Sequence, residues 1–270
     1  MNAVFARWVS FLWGLVLLTS SCLAHGANYQ DWWYNPNMSG MGLNIGQQDQ
    51  NLFVTWFMYE NSENPSFLLF YGDLDANQSL TAEIHRYFGP EPPAYDETLW
   101  RGEVVGTVTI AFSSPTAGTF SYQYDGKAGS FPIERYSFHS INLSGTYLAV
   151  EVGTDSNCDQ PGIDIWANLA LLSLTHTGND LSGTSTRELA QGVTQFALTA
   201  TQHGSLFTAS GSANYSSDTE SSTGSFSLSN VRLVDDFLTF DSVYLMPDRG
   251  VDCRSDGKTT AVRWSGGIVE

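Results

Sequence analysis

The densest set of residues suited to ligand binding is a group of aromatic side chains near the start of the chain. Aromatic faces stack on sugar rings or enclose apolar ligands, because they combine a large area with few rotatable bonds. The alternative is that these side chains fill the core of a small barrel. We favour the core for Trp56 and Phe57. For Trp32 and Trp33, which precede every predicted strand, both alternatives stay open. The aromatic binding candidates are Trp32, Trp33, Tyr34 and Trp56.

A second candidate set is charged. Glu83, His85 and Tyr87 share one face of a predicted strand that also contains Arg86. A buried Arg–Glu pair inside an apolar barrel could bind a carboxylate or another polar ligand group. A structural salt bridge or a solvated face is the alternative, and we favour it. The charged binding candidates are Arg86, Glu134 and Arg135.

Motifs for catalysis or metal binding are absent from the sequence. It contains no Gly-x-Ser-x-Gly elbow and no cluster of His and Cys with the spacing of zinc ligands. A secreted hydrolase that uses carboxylates such as Glu83 or Glu134 remains an alternative without a supporting motif. We therefore predict no catalytic residue, no metal site and no cofactor, and we favour a binding protein over an enzyme.

The N-terminus has the composition of a secretory leader. Arg7 is followed by an apolar run from Val9 to Leu18 and then by small residues, and the run is too short to span a membrane. We predict that residues 1–26 are a signal peptide and that the protein is periplasmic or extracellular. A lipid anchor on Cys22, and hence an outer-membrane lipoprotein, is the alternative. We predict no membrane span in the rest of the chain.

The charge balance argues against nucleic acid as a partner. The chain has 28 acidic and 11 basic residues, with a net charge of −17. Such a surface repels phosphates and anionic lipid. A small molecule or a glycan is the expected ligand.

Two cysteines, Cys158 and Cys253, remain once Cys22 is removed or lipidated. An exported protein folds in an oxidising compartment, so we predict that this pair forms a disulfide. Two unpaired thiols are the alternative.

From Gly42 onward, short runs rich in Val, Ile, Thr, Phe and Tyr alternate with Gly, Asn, Asp, Ser and Pro. This pattern is typical of an antiparallel sandwich or barrel with little helix. The predicted hairpin over Leu52–Glu60 and Ser66–Leu74 is apolar on both faces, so we expect it to be covered on both sides or to line a pocket.

Composition divides the mature chain into two halves. The aromatic-rich first part changes near residues 137–142 to a part rich in Ser, Thr and Gly that contains both cysteines of the predicted disulfide. We therefore predict two consecutive all-β, barrel-like or sandwich halves. The first is an aromatic-rich domain over residues 27–139, and the second is a disulfide-stapled domain over residues 140–270.

The opening of the mature chain carries a recognisable motif. The run from Trp32 to Asn44 reads WWYNPNMSGMGLN, and Leu52 to Tyr59 reads LFVTWFMY. These runs resemble the start of a family of exported bacterial β proteins with a WWNP-x-x-SG-x-G motif. Later segments agree with the same family, from VGTVT at residues 105–109 to the closing Arg263-Trp264. The resemblance implies a secreted β protein and no mechanism.

Together these observations lead to one hypothesis. The protein is an exported, non-enzymatic β protein that binds a small apolar or carbohydrate ligand through aromatic residues of its first half. The alternatives are the carboxylate-dependent hydrolase and a purely structural envelope or matrix protein without a ligand.

Overall fold

The computed structural model describes residues 27–60, 64–158, 162–187, 192–218, 221–247, 249 and 253–264. The predicted signal peptide and Cys22 lie outside these residues. Strands dominate the fold, and the only helical element of the described segments is the short 3-10 helix Glu97–Leu99. The prediction of an all-β protein with little helix is therefore confirmed.

The first eight strands form a closed antiparallel barrel in sequence order. The barrel closes where β1 pairs with β8 through Trp33 opposite Arg135 and Tyr34 opposite Glu134. Its strands are β1 (Asp31–Tyr34), β2 (Gly42–Gln48), β3 (Asn51–Glu60), β4 (Asn64–Asp73), β5 (Ser79–Phe88), β6 (Arg101–Ser114), β7 (Ala117–Tyr124) and β8 (Lys127–Arg135).

The other eight strands form a second closed barrel, in which β9 pairs with both β10 and β16. Two barrel-like halves in sequence are therefore confirmed, while the division into domains over residues 27–139 and 140–270 stays a prediction. The strands are β9 (Gly145–Ser156), β10 (Ile163–Thr177), β11 (Asp180–Arg187), β12 (Gly192–His203), β13 (Leu206–Ser216), β14 (Ser221–Val234), β15 (Phe237–Leu245) and β16 (Arg254–Arg263).

The first strand was not predicted, and the placement of Trp32 and Trp33 outside the sheet is wrong. Both residues lie in β1, where alternation sends Trp33 into the core at 1% exposure and leaves Trp32 on the outer face. The Trp33 indole Nε1 donates a hydrogen bond to the Tyr29 carbonyl oxygen at 2.9 Å. A four-residue strand is too short to show a clear alternation by itself.

The hairpin of β3 and β4 is not covered on both sides, although Phe57 on its outer face lines a surface groove. The inner face of β3 carries Leu52, Val54, Trp56 and Met58, all buried in the barrel core. The outer face exposes a group of large aromatic side chains to solvent. They are Phe53, Phe57, Tyr59, Phe67 and Tyr71.

A buried ion pair of the first barrel forms a hydrogen bond with a turn of the second. The guanidinium of Arg135 is fully buried and lies 2.9 Å from the carboxylate of Asp31, and burial lowers the pKa of Arg135 while Asp31 opposes that shift. The same Asp31 oxygen accepts a hydrogen bond from the backbone N–H of Ser205, in the turn between β12 and β13, at 2.7 Å. The adjacent Gly204 N–H donates to the Ser137 hydroxyl of the connecting segment. The turn between β12 and β13 of the second barrel is therefore held by Asp31 of the first barrel and by Ser137 of the connecting segment.

The predicted disulfide is present. Cys158 follows β9 and Cys253 precedes β16, and their sulfur atoms are bonded across a sequence separation of 95. It therefore links two strands that are neighbours in the second barrel, at the end away from the first. Within the described segments, no helix has the length and apolar character needed to cross a membrane.

Replacing both cysteines with Ala should lower the free energy of unfolding by about 4 to 5 kcal/mol, because a closed loop of this length restricts the unfolded chain. Urea unfolding followed by circular dichroism measures the change. The unsubstituted protein kept under reducing conditions should show the same loss. An unchanged urea midpoint would contradict the assigned contribution of the disulfide.

Candidate ligand-binding site

The second barrel contains a partly open cavity of about 310 Å³. This volume falls at the lower end of the range for small-molecule sites. The part of the cavity nearest the first barrel is lined by apolar side chains. They include Leu143, Leu172, Leu174, Leu181, Val231 and Leu238.

The cavity exists because the two barrels carry different inner side chains. The core of the first barrel contains Trp33, Trp56, Phe70 and Phe120, all almost fully buried, which fill its interior. Several inner positions of the second barrel that line the cavity carry small polar side chains. They are Ser185, Thr194, Ser242, Ser255 and Thr259. Eight-stranded barrels are just wide enough for side chains to fill or to hold one small ligand. Small inner residues therefore leave space in the second barrel.

Polar groups line the other end of the cavity. Glu151 is only 6% exposed, and both of its carboxylate oxygens accept hydrogen bonds. The Ser185 hydroxyl donates to Oε1 at 2.8 Å, and the Arg187 Nε donates to Oε2 at 2.9 Å. A buried carboxylate is tolerated only when it is paired and hydrogen-bonded in this way. These contacts give the cavity one polar end and one apolar end.

Aromatic rings hold the Arg187 guanidinium in place. Its central carbon lies 5.1 Å from the ring centre of Trp166 and 5.9 Å from that of Tyr215. Trp166 is itself fixed, because its Nε1 donates to Asp155 Oδ1 at 2.8 Å. Cation–π contacts and charge-assisted hydrogen bonds thus combine to orient one cationic side chain at the polar end of the cavity.

Two glycines make room for the Trp166 ring inside the barrel. Gly153 lies opposite both Trp166 on β10 and Gly257 on β16. A Cβ at Gly153 would clash with the indole, and one at Gly257 would lie 3.2 Å from its Cη2. The sequence Gly153-Thr154-Asp155 therefore serves two purposes, since it provides space for the ring and an acceptor for its N–H.

The predicted aromatic site residues occupy two different environments. Trp56 is 3% exposed and packs edge-to-face on Phe120 in the first core, so it offers almost no surface to a ligand. Trp32 is 40% exposed and stacks on Phe57 at 5.6 Å. A surface groove of about 340 Å³ is lined by Trp32, Trp33, Tyr34, Ser39, Gly40, Met41, Gly42, Phe57 and Tyr136.

The predicted charged site residues do not meet. Arg86 forms ion pairs with Glu60, Glu103 and Asp125, so it has the structural salt bridges that we favoured. Arg135 pairs with Asp31, as described above. Glu134 lies near the end of β8, whereas Asp125 precedes the start of that strand, so Glu134 and Arg86 are at opposite ends of the first barrel.

Glu134 instead lies beside the surface groove. It is opposite Tyr34 in the pairing of β1 with β8. Burial and the nearby Glu134 carboxylate raise the pKa of Tyr34.

The residues around the cavity were not predicted as site residues. Glu151 and Arg187 are 36 positions apart and belong to no motif. The observable signal was the change to Ser, Thr and Gly in the second half, which indicates small inner side chains. Among the residues that the structure describes, no group of three or more His, Cys, Asp or Glu side chains is arranged to hold a metal ion.

A scan against models of known protein families and a search of curated proteins found no match to this chain. The geometry of the second barrel and of the surface groove is therefore what bears on the function of this protein.

Replacing Glu151 with Ala should lower the free energy of unfolding by about 2 to 4 kcal/mol, because Arg187 would remain partly buried without its counter-ion. Asp256→Ala is the matched control. It removes the partner of Arg254 in a largely exposed pair and should cost less than about 1 kcal/mol. Urea unfolding of both variants makes the comparison, and equal losses would contradict a buried role for Glu151.

Proposed function

We propose that this protein is an exported binding protein that holds a small amphipathic ligand inside its second barrel. The observation that carries the proposal is a cavity inside the barrel with an apolar inner end and a small number of fixed polar groups at the other, more open end. Ligand sites in proteins commonly have this composition. Export is supported by the leader pattern and is consistent with the disulfide.

The depth of the cavity suits an extended apolar chain. Leu181 and Arg187 both line it and are separated by six positions on β11. Six positions span about 20 Å along a strand, or roughly 15 Å along the axis of a barrel with tilted strands, which an alkyl chain of about eight to ten carbons fills. A neutral alcohol of that length is therefore a suitable first probe.

The surface groove of the first barrel supports a second candidate function, binding of a neutral oligosaccharide. Trp32 offers an exposed ring at its edge, and Tyr34 and Tyr136 line it. Trp and Tyr are suited to sugars, because each combines an aromatic face that can stack on a sugar ring with an N–H or O–H that can form a hydrogen bond. This candidate retains three of the predicted site residues, Trp32, Trp33 and Tyr34, whereas the apolar ligand is now assigned to the second barrel.

Binding of 1-decanol should raise the melting temperature by about 3 to 5 °C at a concentration ten times its dissociation constant, because the ligand stabilises only the folded state. Leu172→Trp should remove this shift by filling the cavity. Trp32→Ala should leave the shift intact, since Trp32 lines the groove of the other barrel. Differential scanning calorimetry of the three proteins provides the measurement.

Two results would contradict the proposal. One is the absence of a shift with alcohols of any length, as expected of a purely structural protein. The other is loss of the shift in Trp32→Ala with no effect of Leu172→Trp, which would place the apolar ligand in the surface groove. A shift with neutral oligosaccharides that Trp32→Ala abolishes would support the second candidate function.

A further inference from the structure

The polar end of the cavity has balanced charges in a strongly acidic protein. Four charged residues line the cavity, namely Glu151, Asp155, Arg187 and Arg249. Two are acidic and two are basic, whereas the whole chain has 28 acidic and 11 basic residues. The cavity therefore avoids the excess of negative charge that would exclude an anionic ligand from most of the surface.

The Arg187 guanidinium has N–H donors available for a ligand. A guanidinium carries five N–H groups, and the one on Nε is used by Glu151. The Nη atoms make no hydrogen bond to any residue in the described part of the chain, although the side chain is only 24% exposed. Two Nη groups side by side match the two oxygens of a carboxylate. The contacts with Trp166 and Tyr215 hold that pair of donors in a fixed plane.

A cationic head group is disfavoured by the same contacts. Aromatic rings beside carboxylates are a common site for ammonium ligands. Here the Trp166 and Tyr215 rings already contact the Arg187 guanidinium, and both oxygens of Glu151 already accept hydrogen bonds. An ammonium group would have to displace a cation that belongs to the protein.

On β9, Asp155 lies farther from the first barrel than Glu151 does. The two residues are four positions apart, or about 13 Å along the strand. Its Oδ1 is engaged by the Trp166 N–H. The head group next to Arg187 is therefore separated from Asp155 by the indole, while the alkyl chain reaches the leucines at the opposite end of the cavity.

Building on the proposed ligand site, we propose that the ligand is an amphipathic carboxylate, such as a medium-chain fatty acid, whose head group forms a bidentate ion pair with the Nη edge of Arg187. Glu151 acts as a positioning residue, because it holds the guanidinium through Nε and leaves the Nη edge turned to the ligand. Ser185 in turn holds Glu151.

Decanoate and 1-decanol, which differ only in the head group, test this proposal by isothermal titration calorimetry at pH 8. The unsubstituted protein should bind decanoate about ten- to a hundredfold more tightly than decanol, as expected for a charge-assisted hydrogen-bonded pair. Arg187→Gln should lose that preference and bind decanol within about threefold of the unsubstituted protein. Arg187→Lys should retain part of the preference, since it keeps the charge and loses the planar fork.

Arg254→Gln is the matched control, since Arg254 lies on the same barrel but does not line the cavity, and it should keep the full preference for decanoate. If Arg187→Gln fails to fold with Glu151 unpaired, the double variant Glu151→Gln/Arg187→Gln restores a neutral hydrogen-bonded pair and should show the same loss of preference.

Binding of decanol with equal or weaker binding of decanoate would overturn the head-group proposal and leave the proposed function standing. Binding of neither probe would overturn both. Retention of the decanoate preference in Arg187→Gln or in the double variant would show that another group reads the carboxylate, and would also overturn the proposal.

Discussion

Closure of eight antiparallel strands into a barrel is the constraint on which the rest of this structure depends. A closed barrel of this size has a limited interior, so the volume of its inward side chains decides whether it becomes a packed core or a cavity. The first barrel places Trp33, Trp56, Phe70 and Phe120 inside and is filled. The second places small Ser and Thr side chains at several inner positions and keeps a space of about 310 Å³. One architecture thus gives a packed core in one half of the chain and a cavity in the other.

Charged groups inside the second barrel follow from the presence of that space. Burying a carboxylate costs several kcal/mol unless it is paired, and Glu151 is compensated by Ser185 and Arg187. A packed aromatic core like that of the first barrel has no room for such an arrangement. In that barrel the buried or partly buried ion pairs lie near the ends, with Arg86 among three carboxylates and Arg135 against Asp31 at the contact with the second barrel. Charge therefore stabilises the boundary of one barrel and the interior of the other.

The sequence predicted the fold well because the strand signal is local. Runs rich in β-branched and aromatic residues identified the hairpin over Leu52–Glu60 and Ser66–Leu74 to within about two residues of the bounds of β3 and β4. The same signal failed for β1, whose four residues are stabilised by pairing with β2 and β8 rather than by a pattern of their own. The disulfide was predicted from the expected export to an oxidising compartment and from the cysteine count, and the structure confirms it.

The cavity could not be predicted in the same way. It depends on the sizes of inner residues on strands far apart in sequence, and the Glu151–Arg187 pair spans three strands, from β9 to β11. The predicted site included four aromatic residues. Most aromatic side chains of the first half, however, fill the core of the first barrel or lie on its outer face. Aromatic content alone does not distinguish a core from a site, because both need the same large apolar faces.

The most direct test of the central claim is to observe the indole N–H signals of the tryptophans by nuclear magnetic resonance during a titration with decanoate. Trp166 lines the cavity, whereas Trp32 lines the groove of the first barrel. The account predicts a saturable change in the chemical shift of the Trp166 N–H, which is bonded to Asp155, while the Trp32 signal stays in place. A Trp166 signal that does not move at saturating decanoate, or a change confined to Trp32, would contradict a ligand site in the second barrel.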